Sequence, residues 1–362
     1  MKAQTAHIER IKIACSLSEN NSISGNSFLT IEAKNNKLNL YTANSYADIN
    51  VEVGANIYEE GVAHVVSKEM LETISMLKGE ITLTKKDDKL IVECGKFKRY
   101  IYLVENTNPL FPTTDELELL AELNGEDLSS VIKRCSPYAD INRIGREMFC
   151  GIQINNEDNK TTFLAMNGKQ IALMSTPSVS NKPFKYNIPI QTMNFLSKNI
   201  QDHTVYIMSL GNNEQIFFVF DHIILVSRVI SEKIPEVASI IDTELDDYLL
   251  LDTQKTLSAI DRVSIVSDKA SKAIQFKIKD NNLTIESVNV ERGSTSENVG
   301  EVKSNKDFKA DLNSHMIKTL LQTLKEEYAE LRFTLSNGII KTQILCTDKH
   351  NNKFLIMPLR SA

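Results

Sequence analysis

The chain repeats one segment three times, and this repeat limits the possible folds more than any other feature. Each segment begins with a turn-forming asparagine and continues with alternating polar and apolar residues: "NKLNLYTAN" from Asn36, "NKTTFLAMN" from Asn159 and "NNLTIESVN" from Asn281. The starts are 123 residues apart (36 to 159) and 122 residues apart (159 to 281). The alternation is typical of a strand with one buried face. A period of this length indicates tandem copies of one structural unit.

Two further series keep nearly the same spacing. Methionines inside helical patterns of apolar residues recur at Met70, Met193 and Met316. An apolar residue followed by proline recurs at Phe111-Pro112, Ile234-Pro235 and Met357-Pro358. We therefore predict three diverged copies of a unit of about 120 residues. The predicted domains are residues 1–117, 118–246 and 247–362.

The order of patterns within each copy predicts an α+β fold. Apolar spacings of three and four indicate first helices at Ile8, Ile11 and Cys15, at Leu128, Val131, Ile132 and Cys135, and at Leu257, Ile260 and Val263. Strand patterns follow the second helix of each copy. The order favours antiparallel sheets over an alternating parallel fold. We expect two helices packed on antiparallel sheets in every copy.

Composition and motifs exclude several classes of protein. No run approaches the ~20 apolar residues of a membrane helix, and "MKAQTAHIERIK" lacks the apolar core of a signal peptide, so we expect a cytoplasmic protein with no membrane partner. The five cysteines form no C-x-x-C pair, which favours reduced thiols. With 41 basic and 47 acidic residues the net charge is −6, so a generally basic surface for nucleic acid is not expected.

No catalytic motif stands out, and we expect neither an enzyme nor a bound cofactor or metal. The strongest carboxylate cluster is "DTELDDYLLLD", from Asp242 to Asp252. It is either a divalent-metal site or an acidic linker in which Asp252 caps the next helix, and its position between two copies favours the linker. A nuclease or transferase using Asp246 and Asp247 is the enzymatic alternative.

The apolar run "FLIMPL" from Phe354 has two interpretations. In the first two copies the apolar-proline step leads into another copy, whereas no copy follows Met357-Pro358. The surplus of apolar residues beyond Ile356 favours a site for a partner. The alternative is that Leu355 and Ile356 complete an edge strand.

With its three copies and this ending, the chain resembles the bacterial DNA sliding clamp, the β subunit of the replicative DNA polymerase III holoenzyme. The family motif Ala-Thr-Asp-Gly-His-Arg-Leu-Ala is similar to "AMNGKQIA", which keeps Ala165, Gly168 and Ala172 and has Ile171 for leucine. The family ending Val-Met-Pro-Met-Arg-Leu is similar to the run from Ile356 to Arg360. The motif departs at Met166, Asn167, Lys169 and Gln170. These departures favour a divergent clamp, either a second copy in its host or one carried by a mobile element, and leave peptide specificity open.

The resemblance implies a closed homodimeric ring of six pseudo-equivalent domains that encircles duplex DNA without sequence preference. It also implies a groove for short linear peptides of DNA polymerase, the clamp loader and repair proteins. The implied groove residues are Phe149, Gly168, Ile171, Pro235, Val237, Leu355, Ile356, Met357, Pro358, Leu359 and Arg360. The DNA-facing candidates are Arg10, Lys12, Lys133, Arg134, Arg143, Arg146, Lys198, Arg262, Lys272 and Lys318. The alternative from another class is a ring-shaped protein scaffold that no longer encircles DNA.

Overall fold

The structure is a computed structural model that describes residues 1–17, 27–106, 111–141, 145–157, 159–180, 182–211, 214–340 and 342–359. The chain separates into two compact units. Unit 1 comprises Met1–Lys133, Ile154–Thr161 and Thr176–Ser231. Unit 2 comprises Arg134–Gln153, Thr162–Ser175 and Glu232–Ala362. The boundaries of the three predicted domains stay a prediction, because both units contain residues from the middle copy.

Helices occur where the apolar spacing predicts them. They are α1 Ile8–Ser16, α2 Ser67–Ser75, α3 Gly125–Cys135, α4 Ile190–Asn199, α5 Ala238–Ile241, α6 Thr253–Val263 and α7 Ser314–Leu324. Side-chain oxygens cap three of them: Asn124 accepts from the amides of Glu126 and Asp127, Asp252 from that of Lys255, and Asn313 from those of His315 and Met316. The predicted capping role of Asp252 is therefore confirmed.

The strands form antiparallel sheets, with one parallel pair among the described registers. In the first half of the chain they are β1 Lys2–Thr5, β2 Phe28–Lys34, β3 Lys37–Ala43, β4 Ala47–Gly54, β5 Asn56–Glu59, β6 Gly61–Val66, β7 Ile81–Lys86, β8 Lys89–Cys94, β9 Phe97–Tyr102, β10 Glu118–Asn124, β11 Gly151–Glu157, β12 Lys160–Met166, β13 Gln170–Pro177 and β14 Val179–Ser180. In the second half they are β15 Phe184–Pro189, β16 Thr204–Ser209, β17 Gln215–Phe220, β18 Ile223–Arg228, β19 Asp247–Asp252, β20 Ala273–Lys279, β21 Asn282–Asn289, β22 Gly293–Glu301, β23 Lys303–Ser304, β24 Phe308–Asn313, β25 Tyr328–Phe333, β26 Leu335–Ser336, β27 Ile339–Ile340, β28 Ile344–Thr347 and β29 Lys353–Ile356. The predicted α+β class is confirmed.

The three repeated segments start at the same kind of turn. Asn36, Asn159 and Asn281 have φ angles of 59°, 58° and 57°, the left-handed region that asparagine tolerates better than most residues. In the first and third segments the turn joins paired strands, β2 to β3 and β20 to β21. The sequence repeat therefore reflects a repeated hairpin.

Unit 1 contains two sheets. Their strand orders are β5-β1-β7-β8-β9 and β14-β10-β16-β17-β18-β4-β3-β2-β6. Helix α1 packs against α2 and against β3 and β4, and buries Ile8, Ile11 and Cys15. The core of this unit lies between the helices and the inner face of the larger sheet.

Unit 2 contains the sheet β22-β21-β20-β24-β27-β26 and the consecutive strands β13-β29-β28-β25-β19-β23. Strand β29 pairs with β13 on one side, where Leu355 is opposite Ile171, and with β28 on the other, where Leu355 is opposite Leu345. The interpretation of Leu355 and Ile356 as edge-strand residues is therefore wrong. Their strand is internal, and both side chains are buried.

Candidate functional site: an apolar groove and cation-bearing helices

Ten buried apolar side chains of unit 2 form one cluster, here called the groove cluster. Its members are Phe149, Leu164, Met166, Ile171, Ile234, Val237, Ile241, Leu245, Leu345 and Leu355, with Met148 and Leu173 packed against it. Four of them, Phe149, Ile171, Val237 and Leu355, are predicted groove residues that lie far apart in the sequence. The fold therefore brings together four of the predicted groove residues.

The remaining predicted groove residues lie in segments next to this cluster in sequence. Met357 is 39% exposed, and its amide donates to the carbonyl of Lys169 at 2.9 Å. Pro358 and Leu359 are half-buried, and the Leu359 amide donates to the carbonyl of Asp311 at 2.8 Å. Ile356 is buried, Pro235 is exposed, and Arg360 lies outside the described residues. The chain end after β29 is thus held by backbone hydrogen bonds while Met357 keeps an accessible side chain.

The motif "AMNGKQIA" forms the turn between β12 and β13. The side-chain oxygen of Asn167 accepts from the amides of Lys169 and Gln170, each at 3.0 Å. Gly168 has a φ of 81°, a conformation that glycine adopts without steric cost. Lys169 is exposed, whereas Gln170 is buried and its oxygen accepts from the Asn167 amide group. The residues that differ from the family motif therefore lie in or next to the tight turn that precedes β13, the strand that carries Ile171.

Six members of the groove cluster were not assigned to the groove from the sequence. Ile234 precedes the second repeated proline, and Leu164 and Met166 lie in the repeated "NKTTFLAMN" segment, so the repeat itself carried a signal for these three. Ile241, Leu245 and Leu345 have no such signal. Leu245 lies within the acidic stretch, and the carboxylates on either side gave no indication that its side chain faces inward.

The acidic stretch has structural roles in unit 2. Asp242 pairs with Lys353 at 2.5 Å, and Asp252 caps α6. Asp247, whose side chain is 2% exposed, accepts from Lys306 and from the Leu335 amide, each at 2.8 Å. Burial raises the pKa of Asp247, but the hydrogen bonds from Lys306 and Leu335 outweigh it and hold the pKa below its ordinary value. Across the described residues no cluster of three or more His, Cys, Asp or Glu could hold a metal ion.

Most of the DNA-facing candidates on α1, α6 and α7 are paired with acids. Arg10 contacts Asp221 at 2.8 Å, and Lys12 contacts Glu9 at 2.7 Å. Arg262 contacts Glu297 and Lys318 contacts Asp261, both at 2.5 Å. Each pair neutralises part of the charge that a phosphate would meet.

The assignment of Arg134 to the DNA-facing set is wrong, because its side chain is turned into unit 2. Its guanidinium contacts Asp348 at 2.5 Å and donates to the Thr323 carbonyl at 3.0 Å, and it lies 5.2 Å from the centre of the Phe354 ring. The side chain of Arg134 is 13% exposed. Its neighbour Lys133 is exposed.

Four candidates are exposed and have no ion pair among the described residues: Lys133, Arg146, Lys198 and Lys272. Arg143 lies outside the described residues. In unit 2, Lys272 and Lys318 line a cavity of about 330 Å³ beside α6 and α7, together with Lys269, Arg292 and His315. Burial, followed by the charges of Lys272 and Lys318, lowers the pKa of His315. Lys269 and Arg292 are additional cations that the sequence did not single out, because neither lies in a helix or at a position that the family resemblance suggests.

All five cysteines lie in the described part of the chain, and no disulfide joins them. Burial raises the pKa of Cys135 to about 12 and that of Cys346 likewise to about 12. Both are therefore inert rather than nucleophilic. Among the described residues, no helix is long and apolar enough to cross a membrane.

The fold is similar to that of DNA sliding clamps. Residues 238–360 match the family model "DNA polymerase III beta subunit, C-terminal domain". A curated relative, the "Beta sliding clamp" of Chlamydia pneumoniae, is 22% identical over 313 residues, which cover 84% of this chain and 83% of the relative. More particularly, the chain is similar to bacterial beta sliding clamps, which confirms the resemblance found in the sequence.

Solved structures show the same fold over the whole chain. The DNA polymerase III subunit beta of Pseudomonas aeruginosa has a TM-score of 0.88 at 17% identity, with 100% of both chains covered. A second structure from that organism, a sliding clamp described as bound to griselimycin, has a TM-score of 0.86 at 16% identity with the same coverage.

Proposed function

We propose that this chain is a non-enzymatic sliding clamp that encircles duplex DNA and tethers a replicative polymerase and other DNA-processing proteins. The groove cluster carries the proposal, since four of its ten members lie in the segment that matches the beta-subunit family and four are residues that the family resemblance names. Griselimycin in the relative from Pseudomonas aeruginosa supports a ligand-binding role for clamps of this fold. The cytoplasmic location stays part of the proposal.

The proposed homodimer closes through two free sheet edges. Strand β9 is the last strand of the five-stranded sheet in unit 1, and β22 is the first strand of the six-stranded sheet in unit 2. Unpaired edges present backbone donors and acceptors to another chain. Strand β9 carries Lys98 and Arg99, which pair with Glu93 and Glu69, and β22 carries Glu297, which pairs with Arg262. The proposed pairing of β9 with β22 of a second copy therefore rests on the sheet edges rather than on these charges.

The register of this pairing follows from the repeat. Strand β9 follows β8 as β18 follows β17, and β22 follows β21 as β4 follows β3. Strands β18 and β4 pair with Val226 opposite Asp48. Val226 is the fourth residue of β18, and Asp48 is the second residue of β4. The same register therefore sets Tyr100, the fourth residue of β9, opposite Ser294 of the partner subunit, the second residue of β22. Three domains per chain and two chains then make a ring of six pseudo-equivalent domains.

Duplex DNA is held in this proposal by closure of the ring rather than by strong phosphate binding. The exposed cations Lys133, Lys198 and Lys272, with the cavity beside α6 and α7, support contact with phosphates. The acid-paired cations keep the direct affinity low and dependent on salt. The pairing of these cations with acids also favours the second candidate function, a protein scaffold that keeps the ring and groove but does not encircle DNA.

Retention on circular DNA tests the proposal. The dimer is dissociated by dilution, concentrated with a nicked circular plasmid and passed through a sizing column. We expect protein to elute with the circular plasmid and to be released when a restriction enzyme linearises it, because a closed ring slides off free ends. A scaffold would be retained on neither form, and a nuclease would cut the circle. Equal retention on short linear duplex would contradict topological binding.

A further inference from the structure

Unit 1 contains a second groove, here called the acidic groove, on the outer face of its nine-stranded sheet. It has a volume of about 600 Å³, within the range of sites that bind small molecules or a few side chains. Its lining includes Glu32, Tyr41, Asn50, Phe111, Val219 and Ile224. The site described above uses none of these residues.

The floor of the acidic groove is one row of cross-strand neighbours. Tyr41 lies opposite Asn50, Asn50 opposite Ile224, and Ile224 opposite Val219. Because residues directly opposite each other point to the same face of a sheet, these side chains form a continuous surface. Tyr41, Ile224 and Val219 are half-buried, so their apolar atoms stay accessible.

The segment Phe111-Pro112 forms the wall. The Phe111 ring lies 5.3 Å from the Tyr41 ring at an angle of 33°, a favourable distance for an aromatic pair. This is the first apolar-proline step of the repeat. The wall and the floor together offer apolar surface to a side chain that enters between them.

One end of the floor carries two hydrogen-bond acceptors, the carboxylate of Glu32 and the side-chain oxygen of Asn50. The Tyr41 hydroxyl donates to Glu32 at 3.3 Å. Burial, followed by the Glu32 charge, raises the pKa of Tyr41 to about 12, so the phenol stays protonated. Glu32 has no cationic partner among the described residues, whereas the nearby Glu52 pairs with Lys37 at 2.8 Å. The side-chain oxygen of Asn50 is buried and likewise lacks a hydrogen-bond partner within the described part of the chain.

We propose that the acidic groove binds a short segment of another protein in which an arginine or lysine lies beside large apolar side chains. The cation pairs with Glu32, whose hydrogen-bond donor in the described part of the chain is the Tyr41 hydroxyl. The apolar side chains pack on Phe111, Ile224 and Val219. The inference goes beyond the proposed function, since it requires neither ring closure nor DNA.

The corresponding surface of unit 2 differs in chemistry, which gives the two grooves different specificities. Strands β13 and β29 pair as β4 and β18 do, and Leu173 lies opposite Lys353 where unit 1 has Asn50 opposite Ile224. At this position unit 2 thus has Leu173 and Lys353, which is paired with Asp242, where unit 1 has Asn50 and Ile224. A basic peptide is favoured by unit 1, because Glu32 has no cationic partner among the described residues.

The probes are two labelled peptides, acetyl-Leu-Arg-Leu-Phe-amide and acetyl-Leu-Lys-Leu-Phe-amide, titrated against the full chain. The Arg peptide is repeated with citrulline, which keeps the shape of arginine but removes its charge. We expect saturable binding that weakens about tenfold with citrulline and weakens as salt is raised. Glu32→Gln should weaken binding of the Arg peptide by a similar factor and abolish its preference over the citrulline peptide.

Glu72→Gln is the control variant. It removes one exposed carboxylate elsewhere in unit 1 and should leave affinity within twofold of the wild type. A thermal melt of each variant checks folding. Unchanged affinity in folded Glu32→Gln, an equal loss of affinity in folded Glu72→Gln, or no saturable binding of either probe would each overturn the proposal, and none of these would bear on the clamp function.

Discussion

At the scale of single residues, Lys133 and Arg134 show that a sequence pattern cannot distinguish an exposed cation from one that is paired inside the fold. Both are cations in the last turn of α3, yet Lys133 is exposed while Arg134 pairs with Asp348, whose side chain is 1% exposed. Asp348 also accepts from the amides of His350 and Asn352 in the turn before β29. The direction of Arg134 depends on a carboxylate 214 residues away, and no local pattern contains that information.

Arg134→Ala should strongly destabilise unit 2. The change leaves Asp348 as a buried carboxylate without its cation, a loss of about 3–5 kcal/mol in the free energy of unfolding. Chemical denaturation followed by circular dichroism measures it, and Lys133→Ala is the matched control, expected to change stability by less than about 0.5 kcal/mol. Equal effects of the two substitutions would contradict the buried-pair assignment.

The same pair should make stability depend on pH. Burial raises the pKa of Asp348, but hydrogen bonds from Asn352 and Arg134 outweigh it and hold the pKa below its ordinary value. A carboxyl whose pKa is lowered by folding stabilises the protein above its unfolded pKa, near 3.9, and that contribution is lost as the pH falls through the folded pKa. The difference in stability between wild type and Arg134→Ala should therefore shrink below about pH 4.

At the scale of elements, the sequence predicted the helices and turns better than the strand neighbours. Helix spacing, the Asp252 cap and the asparagine turns are local properties of about ten residues, so one sequence is enough to find them. The neighbours of β29 are β13 and β28, and the partner in β13 is more than 170 residues away. Pairing over that distance depends on the whole fold, which is why the edge-strand interpretation of Leu355 failed.

The internal position of β29 predicts that adjacent residues near the chain end have opposite roles. Leu355→Ala should lower the free energy of unfolding by about 2–5 kcal/mol, because it leaves a cavity in the groove cluster. Met357→Ala with Pro358→Ala should leave the melting temperature nearly unchanged and weaken binding of a clamp-binding peptide tenfold or more, about 1.4 kcal/mol. Calorimetric titration and a thermal melt measure both quantities. Unaltered peptide affinity in the double variant would refute the assignment of Met357 and Pro358 to the groove.

At the scale of the whole molecule, the repeat did not predict which strands lie at sheet edges. In unit 1 a second-half strand of one copy pairs with a first-half strand of the preceding copy, as β18 does with β4. By the same rule β9 would pair with a copy before the first and β22 with a copy after the third, and both are edge strands in the described part of the chain. A local strand pattern does not reveal this, because β9 and β18 have similar patterns and differ in their partner strands.

The open edge makes self-association testable with two tyrosines of one sheet. Tyr100 on the edge strand β9 is 55% exposed, and Tyr58 on the opposite edge strand β5 is 62% exposed. We expect the wild type to sediment as a dimer, about twice 40.8 kDa, at micromolar concentration. Tyr100→Asp should shift it to monomer, because the substitution removes apolar contact area and places a carboxylate on the acidic β22 edge of the partner subunit. Tyr58→Asp should stay dimeric. A monomeric wild type, or dimers of equal stability in both variants, would rule out closure through β9.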